Sequence, residues 1–259
     1  MNHRSQAKIA GPAADRRAAP RGAIACATML MVLAACNRPV QPPAPVARAF
    51  GAVITEVGGS KQVAGIGTAL DQPVVVQVND AQGSPVGGAL VEIHAARGAV
   101  ATPDMGLTGA DGQLSAVVTL GDSAGRYQIV ATTRDKSGKT AELRLDEIAL
   151  GYQQQQGGVL NDQYCARCHD PESTPERVSN LDNLTAKPHA FTEGAVLNMM
   201  SDADLASIIG HGGPALNKSP EMPPYGYTLN KADQDALIAY IRAVADPPYR
   251  LTGLTYAKN

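Results

Sequence analysis

The chain has 259 residues, no tryptophan and only two phenylalanines, so its hydrophobic cores must be built from Val, Ile, Leu, Ala and Tyr. The formal net charge is −2, and since residues 1–35 contribute +4, residues 36–259 carry −6. An acidic chain is a poor binder of nucleic acid, which excludes that class of partner. The 224 residues from 36 onward suit two modest domains better than one.

Residues 1–35 have the pattern of an export signal. A basic stretch precedes an uncharged, mainly apolar run at 23–35, which is too short to span a bilayer as a stable helix. The sequence Leu-Ala-Ala-Cys at 33–36 resembles the lipobox of bacterial lipoproteins. The resemblance implies that Cys36 is the lipidated first residue of the mature protein, anchored to a membrane in the periplasm. Because Asn37 rather than Asp follows, the outer membrane is expected; a short uncleaved membrane anchor is the alternative.

Two segments of different composition follow the signal. Segment 36–49 contains four prolines, which predicts an extended, semi-rigid spacer behind the lipidated residue. In segment 50–150, apolar residues alternate with polar ones, and clusters rich in Gly, Asp and Ser separate the runs. The alternating runs lie at 74–79, 91–94, 114–120, 127–131 and 143–145. Short alternating strands with such turns predict an all-β sandwich.

The turns and strands of this sandwich carry a resemblance to a known fold. Segments 80–86, 88–93 and 108–112 resemble the bacterial immunoglobulin-like domains found in invasins. A carboxypeptidase-regulatory-like β-sandwich has a similar sequence of strands and turns, and neither family has catalytic residues in these motifs. His94 shares the polar side of its strand with Glu92, so we expect a solvated surface histidine there rather than a metal ligand.

The sequence Cys-Ala-Arg-Cys-His at 165–169 is the attachment pattern of a c-type haem. The thiols of Cys165 and Cys168 would add to the two haem vinyl groups as thioethers, since the two-residue gap places both sulfurs at one edge of the porphyrin. His169 would then direct an imidazole nitrogen at the iron as the proximal ligand. The pattern predicts one covalently bound haem c.

Zinc binding and dithiol redox chemistry are the two alternatives to haem for this cysteine pair. The chain has four cysteines, but Cys26 lies in the export signal and Cys36 is the expected lipidation site. No second cysteine pair is therefore left to complete a four-ligand zinc site. A thioredoxin-like dithiol would follow a strand, whereas the segment before Cys165 has a helical pattern. The residues therefore favour haem over zinc and over dithiol chemistry.

Residues 152–250 as a whole resemble a single-haem class I cytochrome c, which is an all-α domain. Gly157 matches the glycine that this family carries in its first helix. Asn161 stands where the family has an aromatic residue, and Tyr164 is the candidate to replace that residue in the packing of the first helix against the last. The chain is thus expected to join an immunoglobulin-like sandwich at 50–150 to an all-α cytochrome c domain.

The same resemblance implies that Met222 is the distal iron ligand. The family places a Met, often followed by Pro, in an irregular loop, and Ser-Pro-Glu-Met-Pro-Pro-Tyr-Gly at 219–226 matches this pattern. Flanking prolines stiffen such a loop, and a soft thioether favours ferrous iron and raises the potential. Met199 and Met200 are rival thioethers, but they precede a predicted helix start at Ser201 and are expected in the core.

Two further helices complete the predicted haem domain. One is expected to begin after an N-cap at Ser201 and to end at Gly210. The last helix is expected from about Asn230 to Ala245, before Pro247, and packs across the first. Its apolar stripe consists of Leu237, Ile238, Ile241 and Val244.

The remaining histidines leave one alternative ligation open. His189 and His211 could each form a bis-His site, although neither stands in a motif that favours this over Met222. The family often has a Pro after the proximal His whose carbonyl accepts the imidazole N–H. Pro171 is too close to His169 to be that residue, so the acceptor is unassigned from sequence.

The predicted function is that of an electron carrier rather than an enzyme. A lipid-anchored cytochrome outside the cytoplasm would pass single electrons between redox partner proteins through one His/Met-ligated haem. The alternatives are a haem enzyme subunit or gas sensor with an open iron position, and an adhesion-type surface lipoprotein that carries a cytochrome. Residues 251–259 are expected to form a short tail.

Overall fold

The computed structural model describes residues 45–174 and 177–250. Several predicted features lie outside the described residues: the export signal at 1–35, the lipidation site Cys36, most of the spacer at 36–49, and the tail at 251–259. Within the described part, no helix is long and apolar enough to cross a membrane.

The first half of the described chain is a two-layer β-sandwich. Its strands are β1 (Val53–Gly58), β2 (Val63–Gly65), β3 (Val74–Asn79), β4 (Leu90–Ala95), β5 (Val100–Thr102), β6 (Met105–Leu107), β7 (Gln113–Thr119), β8 (Gly125–Arg134) and β9 (Thr140–Leu150). One sheet has the order β1-β3-β7-β5 and the other β2-β9-β8-β4-β6. All neighbouring strands pair antiparallel except β2 and β9, which are parallel. The all-β prediction is confirmed.

The sandwich core follows from the alternation seen in the sequence. In β3, Val74, Val76 and Val78 are fully buried, because successive side chains of a strand point to opposite faces. They share one core with buried residues of the other sheet, such as Ile129 and Leu145. His94 is exposed on β4, as expected.

Four strands were not predicted, and their sequences explain why. Strands β2, β5 and β6 have three residues each, which is too short for a period of two to be recognised. Strand β1 is longer, but only Ile54 is buried in it, so it shows no alternation.

The second half of the described chain is helical. Its helices are α1 (Tyr152–Leu160), α2 (Ala166–His169), α3 (Gly194–Leu197), α4 (Asp202–His211) and α5 (Lys231–Val244). A π-helical turn at Asn161–Cys165 joins α1 to α2, and short 3₁₀ turns lie at Leu181–Asn183 and Gly213–Leu216. The π-turn is placed immediately before the predicted attachment site, a position where such turns often mark function.

The ends of the two longest helices of this half are set by side-chain caps. Ser201 caps α4 by accepting the Asp204 N–H at 3.1 Å, as predicted. The expected end at Gly210 is wrong: α4 continues to His211, and Gly212 forms the cap with a φ of 82° that favours glycine. Asn230 caps α5, and the predicted apolar stripe of that helix is buried.

Helices α1 and α5 cross at Gly157, which positions the attachment segment. A Cβ added to Gly157 would lie 2.0 Å from the carbonyl oxygen of Ala236, so only glycine permits this approach. Tyr164 packs against the core cluster that contains Leu160 of α1 and Leu237 of α5. Its ring also lies edge-on to that of Tyr225, at 6.0 Å between centroids.

The sandwich and the helical domain meet directly. Gly151 alone separates β9 from α1, and the Gln155 side chain donates to the Leu150 carbonyl at 2.9 Å. The Arg126 guanidinium of β8 donates to the carbonyl of Ala245. This contact satisfies a backbone acceptor at the C-terminal end of α5, where a cation is also favoured by the helix dipole.

Candidate functional site

The residues predicted to hold haem converge on one cavity of about 570 Å³. Cys165, Cys168, His169 and Met222 all line it, although more than fifty positions separate His169 from Met222 in the chain. The rest of the lining is largely apolar, as at Leu205, Ile209 and Leu237, and the volume lies in the range of small-molecule and cofactor sites. Two thiols, one imidazole and one thioether around an apolar cavity form the donor set that a c-type haem requires.

The two cysteines are free thiols at the end of the helical segment that α1 begins. Cys165 ends the π-turn and is buried, and Cys168 lies one turn later on α2. Burial, with Cys168 as a lesser cause, raises the pKa of the Cys165 thiol to about 12. A redox dithiol needs a lowered thiol pKa, and for a metal site the described residues contain no group of three or more suitable side chains. Neither alternative use of the pair gains support.

His169 is oriented by a contact that the sequence did not reveal. Its Nδ1 lies 2.8 Å from the carbonyl oxygen of His189, which assigns the proton to Nδ1 and leaves the lone pair on Nε2. The Phe191 ring packs beside the imidazole at 4.8 Å between centroids. Burial lowers the pKa of His169, which favours the neutral imidazole that binds iron. The acceptor left unassigned from sequence is therefore His189, not Pro171.

The two other candidate histidines have different surroundings. His189 lines the cavity, and its ring Nδ1 lies 2.8 Å from a carboxylate oxygen of Glu193. The same Glu193 accepts the Ala190 N–H, which closes the turn that presents the His189 carbonyl. His211 lies at the end of α4, with Nδ1 3.2 Å from the Ser207 carbonyl, and is not part of the cavity lining.

The attachment segment is tied down by Arg177, another residue that sequence reasoning missed. Its guanidinium donates to the carbonyl of Ala166, between the two cysteines, at 3.1 Å and to the carboxylate of Asp170 at 2.6 Å. The backbone N–H of Asn180 donates to the Arg167 carbonyl at 2.7 Å. The polar segment after His169 thus satisfies the Arg167 carbonyl, and it gives the Ala166 carbonyl, which already accepts the Asp170 N–H at 3.0 Å, a second donor.

The loop that carries Met222 is held in place by backbone contacts with α4 and the turn after it. The Gly213 N–H donates to the Met222 carbonyl at 3.1 Å, and the Tyr225 N–H donates to the Ile209 carbonyl at 2.9 Å. A Cβ at Gly212 would lie 2.7 Å from the Met222 oxygen, so the glycine permits the close approach. The Tyr225 hydroxyl donates to the Tyr164 carbonyl at 2.9 Å, which links this loop to the attachment segment.

Met199 and Met200 both line the cavity, but only Met200 has the predicted surroundings. Met200 is partly buried and packs against the core of the helical domain, whereas Met199 is 86% exposed, so the prediction that Met199 lies in the core is wrong. The reason is local: α3 ends at Leu197, and the chain turns at the surface before the cap of α4 at Ser201. Arg242 on α5 fixes this turn by donating to the carbonyl groups of Leu197 and Met200 at 2.8 and 2.6 Å.

Comparison with known proteins identifies the helical domain. Residues 153–241 match the family model of cytochrome C oxidase, cbb3-type, subunit III. No curated protein sequence matches the chain. The domain at 152–244 is therefore a cytochrome c domain, which implies covalently bound haem and haem-based electron transfer.

Solved structures are similar to the β-rich part of the chain. The D00-D0 domain of intimin is 19% identical, with a TM-score of 0.29 over 39% of this chain and 50% of that one. The Yersinia pseudotuberculosis adhesin InvE is 15% identical, with a TM-score of 0.28 over 38% of this chain and 32% of that one. Invasin, a bacterial integrin-binding protein, is 21% identical, with a TM-score of 0.28 over 38% of this chain and 19% of that one. The chain thus spans half or less of these proteins. The described chain joins a two-sheet β-sandwich to a cytochrome c domain.

Proposed function

We propose that this protein is an electron carrier that binds one haem through Cys165 and Cys168, with His169 and Met222 as its axial ligands. The observation that carries the proposal is the convergence of these four side chains on a single apolar cavity. When bound, haem supplies reversible one-electron oxidation and reduction of its iron. Redox partner proteins would deliver and remove the electron.

The chain's own contribution would be to orient ligands and exclude water. The His189 carbonyl fixes the ring of His169 and increases the electron density of the imidazole. The Met222 thioether, held by the contacts of its loop, would favour the reduced state and raise the potential. The apolar lining at Leu205, Ile209 and Leu237 would add to the effect of the thioether, because a low dielectric disfavours the added charge of ferric iron.

The alternative is a haem enzyme or gas sensor with an open iron position, and carbon monoxide distinguishes it from a carrier. If Met222 occupies the distal position, the ferrous full-length protein should bind CO slowly or not at all near neutral pH, because the internal thioether competes at high effective concentration. Stopped-flow absorbance after mixing with CO measures this. Rapid, stoichiometric CO binding by the unmodified protein would contradict the carrier proposal and support the open site.

We also propose that the protein is a periplasmic lipoprotein held at a membrane, with the outer membrane as the expected one. The support is the sequence at 33–36 and the residue Asn37 after it. Cys36→Ser should block lipidation and signal processing, so the variant should keep residues 1–35. Mass spectrometry of the N-terminus, with fractionation of exported protein, tests this. Wild-type protein found wholly in the soluble fraction with an unmodified N-terminus would contradict the proposal.

A further inference from the structure

Glu221, the residue before Met222, connects two loops that line the cavity. Its carboxylate accepts the backbone N–H of Thr185 at 3.1 Å and that of Ala186 at 3.2 Å. Within its own loop, the carboxylate also accepts from the Ser219 hydroxyl at 3.2 Å. The contacts to Thr185 and Ala186 span more than thirty positions of sequence, so they join separate parts of the domain rather than closing a local turn.

The segment that Glu221 contacts leads directly to the residue that orients the proximal ligand. Thr185 and Ala186 follow the 3₁₀ turn at Leu181–Asn183 and precede His189, whose carbonyl lies 2.8 Å from Nδ1 of His169. No helix or strand lies between Leu184 and His189, so the position of this stretch depends on contacts to other parts of the chain. The cavity lining includes residues of both loops: Ala186, Lys187, Pro188 and His189 in one, and Ser219, Glu221 and Met222 in the other.

The carboxylate is suited to hold this stretch. Both of its oxygens accept: the Thr185 N–H lies 3.2 Å from Oε1 and 3.1 Å from Oε2, and the Ala186 N–H lies 3.2 Å from Oε2. Hydrogen bonds to a carboxylate are roughly twice as strong as those to a neutral acceptor. Two backbone donors on one carboxylate also fix direction, because both N–H groups must point at the same side chain.

We propose that Glu221 is a positioning residue whose hydrogen bonds form a clamp between the Met222 loop and the His189 segment. This clamp keeps both axial ligands of the haem in their places. This inference rests on the proposed ligation by His169 and Met222. Losing the clamp would free the Met222 loop from the proximal side while leaving both ligands present. The iron would then exchange its thioether for an external ligand more readily.

The test compares Glu221→Ala and Glu221→Gln with the wild-type protein, all full-length and haem-loaded. Imidazole should bind the ferric Glu221→Ala protein about tenfold faster or more, because opening of the Met222 loop no longer breaks the hydrogen bonds of this carboxylate. Glu221→Gln keeps one acceptor oxygen without the charge, so its rate should be intermediate. The matched control is Glu172→Ala, whose exposed side chain lies outside these contacts.

Two readouts separate failure of the clamp from failure of the proposed function. The wild-type ferric protein should show the weak far-red band of Met-to-iron ligation, and its absence would contradict the ligation itself. If the band is present and Glu221→Ala binds imidazole as fast as Glu172→Ala does, the clamp is refuted. A lower unfolding temperature with an unchanged imidazole rate would also refute it, because that result reports general stability. If Glu221→Ala does not accumulate with haem, the imidazole-binding rate of Glu221→Gln is compared with that of Glu172→Ala instead, and equal rates refute the clamp.

Discussion

Met222→Ala is expected to convert the protein from an electron carrier with both iron positions occupied into a protein with an open iron position. Removing the thioether leaves no internal distal ligand, so the far-red band should disappear and the reduction potential should fall. The ferrous variant should bind CO at least about 100-fold faster than the wild-type protein, because the competing intramolecular ligand is gone. Absorbance spectra, stopped-flow CO binding and a redox titration of the full-length protein measure the three effects.

Met199→Ala and Met200→Ala are the matched controls, since both residues line the same cavity. Each should leave the far-red band intact and CO binding slow. Met199 is largely exposed and lies on a surface turn, whereas Met222 lies in a loop fixed to α4 and to Gly213 by backbone hydrogen bonds. Loss of the band in Met199→Ala, with the band retained in Met222→Ala, would transfer the ligand assignment to Met199.

Gly157→Ala is expected to destabilise the haem domain strongly, whereas the same change at the next residue should not. An added methyl group at Gly157 would lie 2.0 Å from the Ala236 carbonyl oxygen and 2.7 Å from Cβ of Tyr240, so α1 and α5 would have to separate. Overpacking of this kind costs about 1–3 kcal/mol or more, which exceeds the gain of about 1 kcal/mol for replacing a helical glycine.

Gly158→Ala provides the control within the same turn of α1. Its added methyl group would meet the Tyr240 ring at 3.4 Å, an ordinary contact, so the free energy of unfolding should stay equal or rise by up to about 1 kcal/mol. Denaturant titration followed by haem absorbance reports on this domain. Equal losses of stability in both variants would show that the crossing at Gly157 is not the tight contact described here.

Much of the fold could be predicted because it depends on local periodicity. The alternation in β3 and the apolar stripe of α5 each repeat along a single element, and both are buried as expected. The attachment motif at 165–169 is equally local, and Gly157 could be recognised by its place in a known pattern. These features need no knowledge of contacts between distant parts of the chain.

Other parts of the site depend on contacts that leave no periodic signal. The carbonyl that orients His169 belongs to His189, twenty positions away in an irregular stretch, and any residue type supplies a carbonyl. Helix α4 ends at His211 rather than Gly210, and its cap Gly212 lies so close to the Met222 loop that an added Cβ would be 2.7 Å from the Met222 oxygen. The clamp at Glu221 likewise joins two loops whose proximity appears only in three dimensions.

Covalent attachment of haem is tested most directly by the intact mass of the full-length protein after denaturation and extraction with an organic acid. One haem should remain on the polypeptide, and peroxidase staining should follow the chain on a denaturing gel. The double variant Cys165→Ser and Cys168→Ser should lose both signals. If acid extraction removes the haem and the wild-type chain has the mass of the bare polypeptide, the assignment of Cys165 and Cys168 as haem attachment residues is wrong.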